Sequence, residues 1–210
     1  MTLIVPSDVE ANADKIIQLI GYESVDVYRF LSKRFREQDP KGDNVFQFIF
    51  RSFYRLDNAG LTDEFKTKYF ELLSFAKAEH QADIQEIVRS LFNIPNCKEQ
   101  KSLQFSFATK LAATVESSSP IYDTEVASIF GFRPPYNYKP FEQRLSEYTV
   151  FYTELKSLYQ TIIDTDCLRK ARTMFRDRYQ CTDSDVPETK VLDFIFGLLE
   201  SYRVRCSIDT

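Results

Sequence analysis

The chain has 210 residues, enough to bury a core without disulfides or a structural metal, and its 27 Lys plus Arg against 31 Asp plus Glu leave a formal charge of −4. That balance excludes indiscriminate attraction to nucleic acid or to an anionic membrane by the molecule as a whole. Only 5 glycines accompany 19 Phe and 12 Tyr, and no alternating Val/Ile/Thr runs stand between turn signals, so a sheet is excluded in favour of an all-α fold.

The N-terminal stretch MTLIVPSDVEANADK lacks the basic start and long apolar run of a signal peptide, and no segment reaches the roughly 18 uncharged residues of a membrane span. A cytoplasmic protein with no membrane partner is expected. Helices are predicted around Ala11 to Ile20 and Val25 to Arg36. The second carries a basic run, Arg29, Lys33, Arg34 and Arg36, against Glu37.

In DNVFQFIFRSFYRLDNAG, Phe46, Ile49, Phe50, Phe53 and Leu56 recur at helical spacing, and Asn58 and Gly60 supply a stop. The aromatic series Phe46, Phe48, Phe50, Phe53 and Tyr54 could form a base-stacking platform, but its helical period fits core packing. The next helix opens with Thr62, Asp63 and Glu64 and buries Phe65, Tyr69, Leu72, Leu73 and Ala76. It ends near His80, the single histidine, where an imidazole offsets the helix dipole. One histidine leaves no HExxH and no second His for a cluster, and GxxxxGKS and GxGxxG are both absent. A further helix carries Ile84, Ile87, Val88 and Leu91 and is ended by Asn93 and Pro95.

SLQFSFATKLAATVE is apolar around most of its circumference and reads as the central helix. Lys110 projects from its apolar stripe, so its ammonium is expected to be partly desolvated and its pKa lowered, the condition in which a lysine acts as a nucleophile near neutral pH. After SSSPIYD comes a short helix with Asp123 at its N-cap, Val126, Ala127 and Phe130 on its buried side, and Gly131 at its C-cap. Lys110 and Asp123 are therefore either a buried scaffold pair or a nucleophile and its electrostatic partner.

FRPPYNYKP forms a stiff connector, near residues 132–140, and marks the candidate boundary between two helical lobes of one domain. The longest helix, Phe141 to Asp164, repeats Leu145, Tyr148, Tyr152, Leu155, Tyr159 and Ile162 by threes and fours. Fewer than four heptads favours packing within a monomer over dimerisation. Two helices close the chain, giving about nine or ten in all. The first of them, LRKARTMFRDRY, holds Arg169, Lys170, Arg172, Arg176 and Arg178 against Asp177, either a solvated face or a phosphate-binding surface. Cys97, Cys167, Cys181 and Cys206 have no CxxC spacing and do not cluster with His80, so they read as free thiols in a reducing compartment, with no metal and no cofactor implied.

The stretches ATKLA and YDTEV resemble the second half of the helix-hairpin-helix DNA glycosylase superfamily, and Ser106 to Phe132 also resembles uncharacterised bacterial helical proteins with an SFATK…PIYD signature. The glycosylase resemblance implies that Lys110 attacks a sugar C1′ to form a Schiff base while Asp123 stabilises the cationic transition state. The glycine-rich hairpin of that superfamily has no counterpart in LQFSF. The function expected is a helical module that binds nucleic acid or a protein without catalysis, through its basic helices or a groove, because most residues have structural work and the superfamily's phosphate-binding loop is missing; the alternative is a glycosylase or lyase built on Lys110 and Asp123.

Overall fold

The computed structural model describes residues 6–208, and the side chains of 9–199. These residues are all-helical, with no strand among them, and fold as one compact domain. The described residues begin with two short helices, α1 (Pro6–Ala11), which the sequence did not predict, and α2 (Ala13–Leu19), which matches the helix expected around Ala11 to Ile20; Asn12 separates them. Then come α3 (Tyr22–Glu37), α4 (Asn44–Phe53), a 3-10 turn (Asp57–Ala59), α5 (Asp63–Glu79) and α6 (Ile84–Phe92). The order finishes with α7 (Phe105–Val115), α8 (Thr124–Ile129), α9 (Phe141–Asp164), α10 (Arg169–Tyr179) and α11 (Glu188–Ile208).

Several starts are fixed by side chains that accept otherwise unpaired backbone N–H groups. Asp43 accepts from Phe46, Thr62 from Phe65, and Asp83 from both Gln85 and Glu86. His80 ends α5 in the left-handed region at φ 54°, and Gly131 ends α8 at φ 74° with the paired closing bonds Gly131 to Ser128 and Phe132 to Ala127. The α4 helix stops three residues before the sequence period suggests. Arg55 turns left-handed at φ 60°, and its N–H and that of Leu56 bond back to the carbonyls of Ser52 and Arg51. This is a Schellman closure with an arginine at the position glycine usually fills.

The core is aromatic. Phe46, Phe50, Phe65, Tyr69, Phe70, Phe105, Tyr159 and Phe175 are fully buried, and Phe50 alone sits within 6 Å of the rings of Phe46, Tyr54, Tyr69 and Phe70. Ring pairs in tilted and edge-to-face geometry add to the area they remove from water. The α4 aromatics are thus core, except Phe48, which is exposed. The seam of α9 is also internal: Leu145, Tyr152, Leu155, Tyr159 and Ile162 are buried.

The main helix contacts fall into three groups: α3 with α4; α7 with α5 and α6; and α1 and α2 with α10 and α11, joined by α8 and α9 against α11. The helices on either side of the 132–140 connector therefore both pack on α11. Buried tyrosines tie these pieces with hydrogen bonds to carbonyls: Tyr69 to Phe107, Tyr152 to Pro120, and Tyr179 shared between Ile17 and Ile20. No helix among the described residues is long and apolar enough to cross a membrane.

Candidate functional site

The α7 helix and the segment before α8 are joined by one hydroxyl. Thr109 is fully buried, donates to the Ser106 carbonyl at 2.9 Å and accepts the Tyr122 N–H at 3.0 Å. Its neighbour in sequence is Lys110, and the neighbour of Tyr122 is Asp123. The hydroxyl therefore fixes the register in which these two side chains meet. The same segment is held on its other side by Tyr152, which donates to the Pro120 carbonyl, and by Asp193, which accepts the Ile121 N–H at 3.1 Å. Asp123 caps α8 by accepting the Glu125 N–H at 2.9 Å.

Lys110 and Asp123 line one cleft of about 260 Å³, together with Phe53, Tyr54, Arg55, Glu125, Lys190 and Asp193. Lys110 does not pair with Asp123 within 4.0 Å. Its ammonium donates a long hydrogen bond to the Tyr54 carbonyl, 3.4 Å, and lies over the Phe107 ring at 4.9 Å and the Tyr54 ring at 6.0 Å. Burial pulls its pKa from 10.5 down to about 8; Asp123 opposes the fall, while Lys190 and Arg55 deepen it. The desolvation expected from the sequence is present, and the scaffold ion pair is not.

Two residues of the cleft escaped the sequence reading. Lys190 and Asp193 stand one turn apart on α11, 3.7 Å from each other, with side chains 11% and 7% exposed. Burial lowers the Lys190 pKa against the opposing effect of Asp193. It raises the Asp193 carboxyl to about 6, even though Lys190, the Ile121 N–H and the Tyr159 hydroxyl all favour its charged form. A Lys and an Asp three positions apart within the apolar run KVLDFIF are the same signal that singled out Lys110, and it was available in the sequence.

The five basic residues of α10 lie elsewhere. Arg172 and Arg176 grip Glu188 in three short hydrogen bonds of 2.6, 3.1 and 2.7 Å, Arg172 also reaches Asp166, and Arg176 also reaches Asp183. Burial works against the Glu188 charge, yet these arginines hold its carboxyl below the ordinary value. Arg169 pairs with Asp166, Lys170 reaches the Glu10 carbonyl, and Arg178 lies over the rings of Tyr22 and Tyr179. In the earlier basic run, Arg29 donates to the carbonyls of Tyr179 and Gln180, and Arg34 pairs with Asp43. Most of these cations are thus occupied within the fold.

Among the described residues no group of three or more His, Cys, Asp or Glu side chains could hold a metal ion. Cys97, Cys167 and Cys181 are free thiols; Cys206 lies outside the described side chains. Family models, curated proteins and solved structures were all compared with the chain, and none matches it.

Proposed function

We propose that the cleft is an active site in which Lys110 is an amine nucleophile toward a sugar C1′ and Asp123 its electrostatic partner, so that the protein is a glycosylase or lyase acting on nucleic acid. One observation carries this reading: Lys110 borders a solvent-reachable cleft with a carboxylate facing it, has no close anionic partner, and is depressed to a pKa of about 8. A lysine kept for stability would be paired or led out to water. One kept unpaired and dehydrated at a cleft has a nucleophile's environment.

In this chemistry the neutral amine adds to C1′ as the C1′–N bond breaks, and its electrons leave with the base, which takes up a proton. The amine proton passes to water or to Asp123. Opening of the sugar ring then gives a protonated Schiff base, and the Asp123 carboxylate faces the positive charge that builds at C1′. A cleft of about 260 Å³ lies just under the usual range of ligand sites, which begins at roughly 300 Å³, so an extruded nucleotide would fill it and extend to its open mouth. The alternative, a non-catalytic module that binds nucleic acid through α10, draws less support because Arg172 and Arg176 already spend their donors on Glu188, Asp166 and Asp183.

Borohydride trapping on DNA containing an abasic site tests the proposal. The wild-type protein should be trapped covalently, with a yield that rises with pH through the Lys110 midpoint near 8. Lys110→Met should abolish trapping and remain folded. A wild-type protein that never traps would reject the reading.

A further inference from the structure

The site described so far uses Lys110 and Asp123 and leaves a second lysine at the back of the same cleft without a role. Lys190 is buried in a cage of rings: its ammonium lies 5.3 Å from the Tyr28 ring centre, 6.0 Å from Phe53, 5.8 Å from Tyr54 and 5.0 Å from Phe194. Asp193 closes the cage at 3.7 Å and is itself anchored by the Ile121 N–H and the Tyr159 hydroxyl. Aromatic faces and a single carboxylate stabilise a cation that water no longer reaches. Burial works against this charge, and the rings and Asp193 oppose that loss.

The Tyr54 ring borders both lysines. Its ring is 6.0 Å from the Lys110 ammonium and 5.8 Å from that of Lys190, and both side chains line the cleft. An apolar residue at position 190 would fill this cage at less cost than a desolvated cation. Keeping a charge there makes sense if the charge acts on something in the cleft. The groups facing Lys110 are Tyr54 and Arg55 from the end of α4, Asp123 and Glu125 from the α8 segment, Lys190 and Asp193 from α11, with Tyr28 of α3 behind the cage. Asp123 and Glu125 are set at the start of α8, and Arg55 is exposed; Lys190 is the buried cation of the set.

We propose that Lys190 is a positioning residue for catalysis, a caged cation whose like charge adds to burial in favouring the neutral, nucleophilic form of Lys110, while Asp193 holds that cation and the backbone leading to Asp123. The inference rests on the reading of Lys110 as the nucleophile. Activation of one lysine by a neighbouring cation is an established way to make an amine reactive at neutral pH. No bond forms or breaks at Lys190. Its effect is electrostatic and acts on the proton of Lys110.

The test needs no nucleic acid. The full-length folded protein is treated with a trace of acetic anhydride between about pH 6 and 10, which brackets the lysine titrations, and acetylation of Lys110 is read by peptide mass spectrometry. The wild-type midpoint should fall near 8. Lys190→Met and Lys190→Gln, both neutral, should move it upward and cut acetylation at pH 7 several-fold, whereas Lys190→Arg, which keeps the charge, should restore it. The glutamine variant keeps a donor for Asp193, so a methionine variant that fails to fold does not remove the test. An unmoved midpoint in either folded neutral variant overturns the inference. A midpoint that moves in a protein that never traps on abasic DNA would reject the nucleic-acid substrate and leave the role of Lys190 standing. A protein that traps normally with an unmoved midpoint rejects the role of Lys190 alone.

Discussion

Two regions of this protein bring cations and carboxylates together with opposite results. On α10, Arg172 and Arg176 share Glu188 and also reach Asp166 and Asp183, so their charge is met by carboxylates within the fold. In the cleft, Lys110 stands near Asp123 without pairing, and Lys190 and Asp193 are 3.7 Å apart inside an aromatic shell. The first arrangement joins α10 to the start of α11 and leaves little charge for a ligand. The second holds charge at a cost, in a space a ligand can enter. Counting charges along the sequence treats the two alike, and the spacing between partners is what separates scaffold from site.

The arginine cluster should break most visibly. Removing Glu188 leaves two largely buried guanidinium groups without their shared acceptor, and Glu188→Ala should lower stability by about 2–3 kcal/mol, discounted for the remaining exposure of the three side chains. Denaturant unfolding measures it. The carboxyl lies below its ordinary value in the folded state, so the stability it supplies is present above the unfolded carboxylate pKa and is lost as pH falls through the folded one. Acid should therefore destabilise the wild type more than the alanine variant. Equal acid sensitivity in the two would mean that the cluster is decorative.

The cleft should respond with the opposite sign. Burying the Lys110 ammonium without a partner opposes folding, so Lys110→Met should raise stability by roughly 1–3 kcal/mol at neutral pH while abolishing trapping. In the folded state the amine deprotonates near pH 8 and in the unfolded chain near 10.5. Between these values the unfolded chain binds more protons, and the wild type gains stability as pH rises. The advantage of the methionine variant is therefore largest below pH 8 and fades toward 10.5. A methionine variant that is less stable than wild type at pH 7 would show that Lys110 serves the scaffold after all.

The sequence made most of the helices legible because their apolar residues recur with a clean period and two of their starts carry Thr62 and Asp123. It also made Lys110 legible, since a lysine in an apolar stripe has few alternatives. What it hid was tertiary. The early end of α4 at Arg55 depends on a left-handed backbone conformation that arginine rarely announces. The burial of Arg172 and Arg176 became visible only when Asp166, Asp183 and Glu188, outside the basic run itself, folded onto it. The buried pair Lys190 and Asp193 is 80 residues from Lys110 along the chain, and only the packing of α11 against α8 brings the two lysines to one cleft.

The smallest effect concerns the point where the backbone itself meets the cleft. Arg55 adopts the left-handed conformation at φ 60°, which an L residue with a Cβ occupies at a cost of roughly 1–2 kcal/mol relative to the right-handed region. Glycine there would relieve the strain and lose part of the gain to the greater freedom of the unfolded chain, so Arg55→Gly should stabilise by about 0.5–1 kcal/mol. The arginine persists although the Schellman closure would be better served without it. Its side chain is exposed at the cleft rim, with no hydrogen bond or ion pair to another described residue, so under the nucleic-acid function proposed above it is the cation free to meet a phosphate. The glycine variant should therefore bind abasic DNA more weakly, with the slope of log affinity against log salt reduced by about 0.9 if one duplex phosphate contact is lost. Arg172→Ala, by contrast, should destabilise the fold and leave that slope unchanged. If the two variants shift the slope equally, the division between an internally spent α10 cluster and a ligand-facing cleft does not hold.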